Sequence, residues 1–332
     1  MKKIAIIGFG FIGKAHLNAY KKIKNAQVTT ICTRNEITNQ EIKDCYEIVS
    51  NFSEVLSNDE IDVVDICLPT YLHEQYIIQA AEAGKQIICE KPLTLSLESA
   101  ERIFTAVQRN KVHLFVGHVL RFWPEYKLIK DYYDNGKLKD VDILHANRLG
   151  QFPQWSDWFK DHEKSGGALF DLHIHDIDFA TYLLGEVDSV FAVGKKNQYG
   201  TWDHINTTLS FKKNDAKAFV EASHRMPLGF PFTMALRVQA KQGTIDFHSA
   251  SGENIENRQN VNNSILYYTD QNVTSIPIDS EDAFQNELSY FLHCIEKNIN
   301  NEVIPLVDVF YTLKLLEAIE KSLISGEVIK LK

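Results

Sequence analysis

The stretch Lys3-Ile4-Ala5-Ile6-Ile7-Gly8-Phe9-Gly10-Phe11-Ile12-Gly13 decides the fold. Ile4 to Ile7 form a short uncharged run, the pattern of a strand covered on both faces of a parallel sheet. Gly8, Gly10 and Gly13 follow at G-x-G-x-x-G spacing. Gly8 permits the tight turn out of the strand, Gly10 lets the backbone approach a pyrophosphate, and Gly13 lets the next helix pack on the sheet. That helix, expected from Phe11 to Ile23, aims free N–H groups and the positive end of its dipole at the same spot, an anion site. The glycine spacing alone is weak evidence. Here a strand precedes it, a helix follows it, and a second strand at Gln27 to Thr33 completes a βαβ unit. Phe9, Phe11 and Ile12, which fill the loop between the glycines, join them as cofactor-binding candidates.

The end of the second strand bears on cofactor type. In a site for NAD an acidic residue about 20 positions past the glycines accepts hydrogen bonds from the ribose 2′-hydroxyl. Ile31-Cys32-Thr33-Arg34-Asn35 offers no carboxylate until Glu36. Thr33 is small and neutral and Arg34 can pair with a 2′-phosphate, which sets NADP(H) slightly ahead of NAD(H). A solvated Arg34 in a permissive NAD site is the alternative.

A short helix near Glu36 to Asp44 and a brief strand at Glu47 to Ser50 come next. The fourth strand, Asp62 to Leu68, ends at Pro69-Thr70. Ligands of open α/β sheets bind beyond the carboxyl ends of the strands, so Leu68, Pro69 and Thr70 belong under the ribose and nicotinamide. His73 opens the following helix, Leu72 to Ala83, and reads as a packing or capping residue near the cofactor. The fifth strand, Gln86 to Glu90, runs into Glu90-Lys91-Pro92. Most lysines only solvate a surface, but few follow a buried strand and precede a proline that fixes the backbone. Lys91 therefore points to the nicotinamide crevice, with Glu90 able to hold it.

At these residues the chain resembles the glucose-fructose oxidoreductase, inositol dehydrogenase and MocA-type (Gfo/Idh/MocA) oxidoreductases. The shared pieces are Gly8-Phe9-Gly10-Phe11-Ile12-Gly13, Leu68-Pro69-Thr70 with His73, and Ala83-Gly84-Lys85 leading to Glu90-Lys91-Pro92. The likeness continues through Gly117-His118 and Arg121-Phe122-Trp123-Pro124, across the whole first domain. It implies that Lys91 is a catalytic-site residue beside the nicotinamide, in agreement with the placement argued above.

A helix from Ala100 to Arg109 and a strand from Val112 to Val116 complete a doubly wound α/β sheet, giving a Rossmann domain over 1–119. Arg121 is a candidate for binding substrate or cofactor, and equally a buried ion pair. Residues 120–332 open with a helix from Glu125 to about Asn135 and then change character. Alternating runs at Val141 to Leu149, Ser189 to Lys196, His204 to Phe211, Ala216 to His224, Thr233 to Ala240 and Ile265 to Tyr268 imply a large, mostly antiparallel open sheet. Helices at Asp282 to Lys297 and Val309 to Ser325 make this domain α+β. Such a sheet leaves one face to cover, so a homodimer or homotetramer through it is expected.

Ser165-Gly166-Gly167-Ala168-Leu169-Phe170-Asp171-Leu172-His173-Ile174-His175 is the informative stretch of the second domain. Phe170, Ile174, Ile177 and Leu184 keep helical spacing, so Asp171 and His175, four apart, share one face of a helix. A carboxylate there can orient the imidazole and stabilise its protonated form for proton transfer near neutral pH. The bland alternative is an ordinary surface or capping pair. His173 and His175 raise a metal alternative, but on a helix two residues apart they diverge by about 200°, so no metal is expected. The resemblance implies that Asp171 and His175 are the family's second catalytic pair, with Ala168 standing where the family often has a third glycine. Trp155 and Trp158 either line a substrate mouth, as aromatic platforms for hydroxylated rings, or simply pack.

The 332 residues are 44% hydrophobic and 24% charged, ordinary for a soluble globular chain of two domains. The five cysteines are scattered without C-x-x-C spacing, which excludes a sequence-evident disulfide framework or zinc site. No apolar run reaches the roughly 20 residues that span a bilayer, and no signal segment is evident, so a cytoplasmic location is expected. With a net charge of -9 and no basic stripe, nucleic acid is not an expected partner. The expected activity is hydride transfer between NADP or NAD and a secondary alcohol or carbonyl, by resemblance that of a sugar, polyol or inositol. His175 acts as acid and base, Asp171 orients it, and Lys91 stabilises charge on the substrate oxygen. Lys91, Arg121, Trp155, Trp158, Asp171 and His175 are the substrate-binding candidates. A non-catalytic cofactor-sensing regulator and a glycosidase working by transient oxidation are the alternatives.

Overall fold

Two kinds of sheet follow from two kinds of strand. In the computed structural model of the chain, residues 1–154, 157–251, 262–278 and 281–331 are described. The chain divides into two units: Met1–Phe122 with Glu281–Phe310, and Trp123–Ser280 with Tyr311–Lys332.

The first unit runs β1 (Lys2–Ile7), α1 (Phe11–Tyr20), β2 (Ala26–Cys32), α2 (Gln40–Cys45), β3 (Glu47–Val49), α3 (Phe52–Leu56), β4 (Val63–Ile66), α4 (His73–Glu82), β5 (Gln86–Glu90), α5 (Leu97–Asn110) and β6 (Leu114–Gly117). All its strand pairs are parallel, in the order β3-β2-β1-β4-β5-β6. Ile4 to Ile7 and Val63 to Ile66 are buried throughout, as strands covered on both faces require. The strand order reverses beside β1, the switch point at which open α/β sheets bind ligands.

The start of α5 follows its cap rather than periodicity. α5 begins three residues before the expected Ala100, because the Ser96 side chain accepts the Ser99 N–H and caps it. Its buried stripe is Ala100, Ile103 and Val107, at helical spacing.

The second unit contains α6 (Pro124–Asp134), β7 (Val141–Leu149), α7 (His162–Ser165), a π-helical turn (Leu169–His173), α8 (Ile174–Leu184), β8 (Val187–Lys196), β9 (Trp202–Phe211), β10 (Lys217–Ser223), β11 (Phe232–Ala240), β12 (Gly243–Ser251), β13 (Asn262–Tyr268) and β14 (Val273–Ser275). After α9 (Ala283–Lys297) and α10 (Leu306–Ser325), β15 (Ile329–Lys330) closes the sheet. The order is β14-β13-β12-β11-β7-β10-β9-β8-β15, antiparallel except for the parallel pair β7–β10.

Several features differ from the sequence expectation. Residues 281–310 return to the first unit, where α9 sets Phe291 against Phe115 and Phe122 and Phe284 against His16. The apolar stripe of α9 reads the same against any partner, so periodicity carries no address. β12 is also new, because Ile245 and Phe247 are its only large buried apolar side chains and Ser249 and Ser251 continue the inward row. Among the described residues, no helix is long and apolar enough to cross a membrane.

Candidate active site

In the first unit the carboxyl ends of the strands bring the expected residues to one edge of the sheet. Gly8 has φ +95, and a side chain there would meet the Cys67 carbonyl oxygen at 2.5 Å. A side chain at Gly13 would collide with the Gly8 carbonyl. Gly10 is different: a methyl there would meet nothing within 4 Å, so its backbone faces an open cradle. Gly10 is also the N-cap of α1, with no side-chain cap and no acidic residue in the first turn. The donors of that turn and the open cradle fit the pyrophosphate of a dinucleotide, with Phe9, Phe11 and Ile12 in the same loop. Thr33 and Arg34 follow β2; the Thr33 hydroxyl accepts the Asn35 N–H at 3.1 Å, and Arg34 is exposed.

Leu68 and Pro69 are half-buried and Thr70 is buried, just past β4. The buried ring of His73 lies between two carbonyls, with Nε2 2.8 Å from Leu68 O and Nδ1 2.9 Å from Pro92 O. Burial lowers its pKa against the pull of those carbonyls, and a neutral ring donates to one of the two at a time, packing between the loop after β4 and the loop after Lys91. Lys91 is half-buried, its peptide bond to Pro92 is cis, and its main-chain N–H donates to Glu90 Oε2 at 3.3 Å. Glu90 turns inward, where Oε1 lies 3.1 Å from His16 Nε2. Arg121 is buried, and its Nη1 donates to Asp308 Oδ2 and to the Val303 carbonyl, each at 2.7 Å. Its guanidinium is thus built into an ion pair of the first unit.

In the second unit the expected uninterrupted α-helix begins instead as the π-helical turn Leu169–His173, and α8 starts at Ile174. Such wide turns favour functional sites. Gly167 has φ +64, and a side chain there would strike the Trp202 carbonyl at 2.6 Å. Asp171 and His175 are both half-buried. Asp171 Oδ2 lies 3.1 Å from Nε2 of His224, a buried residue just past β10. Phe152 and Phe159 stand edge-on to the His224 ring, at 6.2 and 6.5 Å between centroids. Trp158 is half-buried and stacks on Phe159 at 4.0 Å, whereas Trp155 lies outside the described residues.

His224 was not singled out from the sequence. Its signal is of the same kind as that of Lys91, a titratable side chain at the carboxyl end of a recognisable strand. His173 is a core residue: Nε2 is 2.8 Å from Thr207 Oγ1, and burial pushes its pKa down to about 3. Asp176 fixes α8 from within. It receives Arg148 Nε at 3.0 Å and Arg148 Nη2 at 3.1 Å, all fully buried. Among the described residues the group with metal-ligand potential is His16, Asp65 and Cys67, and it includes neither His173 nor His175. Lys91 belongs to the first unit and Asp171, His175 and His224 to the second.

The family comparisons match both halves. Residues 2–118 match the oxidoreductase family with NAD-binding Rossmann fold, and residues 126–246 match the GFO/IDH/MocA C-terminal domain. The chain belongs to the Gfo/Idh/MocA oxidoreductase family. Myo-inositol 2-dehydrogenase of Thermotoga maritima is 30% identical over 69% of this chain and 70% of its own. The scyllo-inositol 2-dehydrogenase (NAD(+)) of Bacillus subtilis is 29% identical over 99% of this chain and 96% of its own. Levoglucosan dehydrogenase in complex with NADH and L-sorbose superimposes with a TM-score of 0.85 over 100% of this chain and 99% of that one. At 23% identity this likeness shows the fold.

Proposed function

We propose that this member of the Gfo/Idh/MocA family is a dehydrogenase that interconverts a secondary alcohol and a carbonyl on a sugar, polyol or cyclitol. The observation that carries this reading is the open Gly10 cradle and Lys91 at the carboxyl ends of β1 and β5, strands on either side of β4. The names of the inositol dehydrogenase relatives support the substrate class.

Gly10 and the first turn of α1 would hold the pyrophosphate of a nicotinamide cofactor, which would supply or take up the hydride. His175 takes the hydroxyl proton in oxidation and returns it in reduction. Asp171 orients His175 and is itself held by His224. The Lys91 ammonium stabilises negative charge on the substrate oxygen. Trp158 offers an apolar platform to a hydroxylated ring. NADP(H) is the proposed preference, since Arg34 stands exposed after β2 with no carboxylate before Glu36.

We also propose that the face of the nine-stranded sheet bearing Phe191, Val193 and Phe219, all exposed, pairs with a second copy. Sedimentation as a monomer at micromolar concentration would remove that pairing. The enzyme reading is tested by supplying polyols, sugars and cyclitols with each cofactor and following reduced nicotinamide. Turnover of at least one compound is expected; a chain that binds cofactor and turns over none is a sensor, contrary to the proposal.

A further inference from the structure

Among the titratable side chains that the first unit buries and this chemistry does not use are His16 on α1, Asp65 on β4, Glu90 on β5 and Glu287 on α9. His16 stands between two of them, with Nδ1 2.8 Å from Asp65 Oδ2 and Nε2 3.1 Å from Glu90 Oε1. A carboxylate only accepts, so a ring with a carboxylate at each nitrogen donates from both and carries the charge of an imidazolium. Burial opposes that charge, but Asp65 and then Cys67 outweigh it and hold the His16 pKa well above the ordinary histidine value.

The rest of the surroundings agree. A side chain at Gly117 would stand 3.0 Å from Glu90 Oε1 and 3.6 Å from Glu287 Oε2, so the bare backbone of β6 makes room for both carboxyl groups. Burial, and then repulsion from Glu90, push the Glu287 pKa well above the ordinary carboxylate value. Cys67 is 3.5 Å from His16 Nδ1, and burial pushes its thiol up to about 12. The rings of Tyr20 and Phe284 close the remaining sides of the imidazole. The trio His16, Asp65 and Cys67 is not spaced for a tetrahedral zinc ion. Nitrogen and oxygen ligands about 2.0–2.1 Å from a tetrahedral zinc ion lie about 3.3 Å apart, whereas Nδ1 and Oδ2 here are at hydrogen-bond distance.

We propose that His16 is a positioning residue for Lys91, acting through Glu90. Glu90 is held by His16 through Oε1 and accepts the Lys91 main-chain N–H through Oε2, so it cannot swing without moving the strand end that carries Lys91. Asp65 holds the far side of the ring. The helix that follows the glycine loop and the start of the Lys91 loop thereby form one hydrogen-bonded unit. This rests on the reading of Lys91 as the group that touches the substrate oxygen.

The two ring nitrogens can be tested separately. Gln places its amide nitrogen where Nε2 faces Glu90, and Asn places it where Nδ1 faces Asp65. The rate at which acetic anhydride modifies Lys91, read by mass spectrometry on the full chain, reports its setting without any substrate. His16→Asn is expected to change that rate about threefold or more and to lower kcat about tenfold, with KM and cofactor affinity nearly unchanged. His16→Gln is expected to stay close to the parent in both. Equal behaviour of the two variants overturns the proposal. Should neither variant fold, nitrogen NMR of histidine-labelled parent protein decides: a protonated Nε2 on His16 at neutral pH supports it, and an unprotonated Nε2 overturns it. If Lys91→Ala is itself fully active, the role of Lys91 fails, while the labelling still reports whether His16 sets that residue.

Discussion

In the second unit's candidate site, Asp171 Oδ2 lies 3.1 Å from His224 Nε2. The imidazole is buried against Phe152 and Phe159, whereas the carboxylate stays half-exposed toward solvent. A buried donor that fixes an accessible carboxylate can preset Asp171, the group proposed to orient His175. His224→Leu is therefore expected to lower kcat about tenfold to a hundredfold, and His224→Gln, which keeps a donor at the same reach, to retain most of it. Steady-state kinetics on a turned-over polyol check this; an active His224→Leu enzyme would show that Asp171 needs no such support.

The salt bridge of Arg148 with Asp176 underlies α8, the helix that carries His175. Both groups are fully buried, and Tyr126 joins them through a 3.3 Å bond from Arg148 Nη2. Removing one partner strands the other charge, so Asp176→Ala is expected to cost about 3–5 kcal/mol in urea unfolding. A loss below about 1 kcal/mol would mean that water reaches the guanidinium.

Much of this was legible beforehand, and the exceptions share a physical cause. The glycine loop, the Lys91 strand end and the Asp171 stretch show in sequence because backbone sterics and strand polarity act locally. Long-range partners do not. His224 lies far along the chain from Asp171, and the alternation that reveals β10 says nothing about which helix its end will meet. The π-helical turn escaped because an apolar spacing that fits 3.6 residues per turn also tolerates one wider turn. The return of α9 to the first unit escaped because its stripe names no partner. Arg121, which the sequence leaves open between a ligand contact and a buried ion pair, is paired with Asp308.

Glu287 gives a signed pH dependence. Its folded pKa is raised, first by burial and then by Glu90, above the unfolded value near 4.3. Below that value both states hold the proton and the group is silent. Above it the unfolded chain gains by ionising while the folded one does not, so stability falls as pH rises. Glu287→Gln should remove that penalty and raise Tm by about 2 °C or more near neutral pH, with no gain near pH 4. Thermal melts across that range check it; a variant less stable than the parent at neutral pH would mean that the carboxyl is ionised and paired.

The proposed NADP(H) preference rests on Arg34. Loss of a charge-assisted bond to a 2′-phosphate should weaken NADP(H) about tenfold or more in Arg34→Ala, with NAD(H) nearly unchanged. Fluorescence titration of both cofactors measures it. Equal loss for both would leave Arg34 as a solvated side chain and return the site to NAD(H).

The most direct test of the chemistry compares Lys91→Ala and His175→Ala with the parent, reading reduced nicotinamide on a turned-over polyol and NADH affinity on the same samples. Each variant is expected to lose about a hundredfold or more in kcat and to bind NADH as tightly as the parent. Normal turnover in either variant would contradict the assignment of proton transfer to His175 or of oxyanion stabilisation to Lys91.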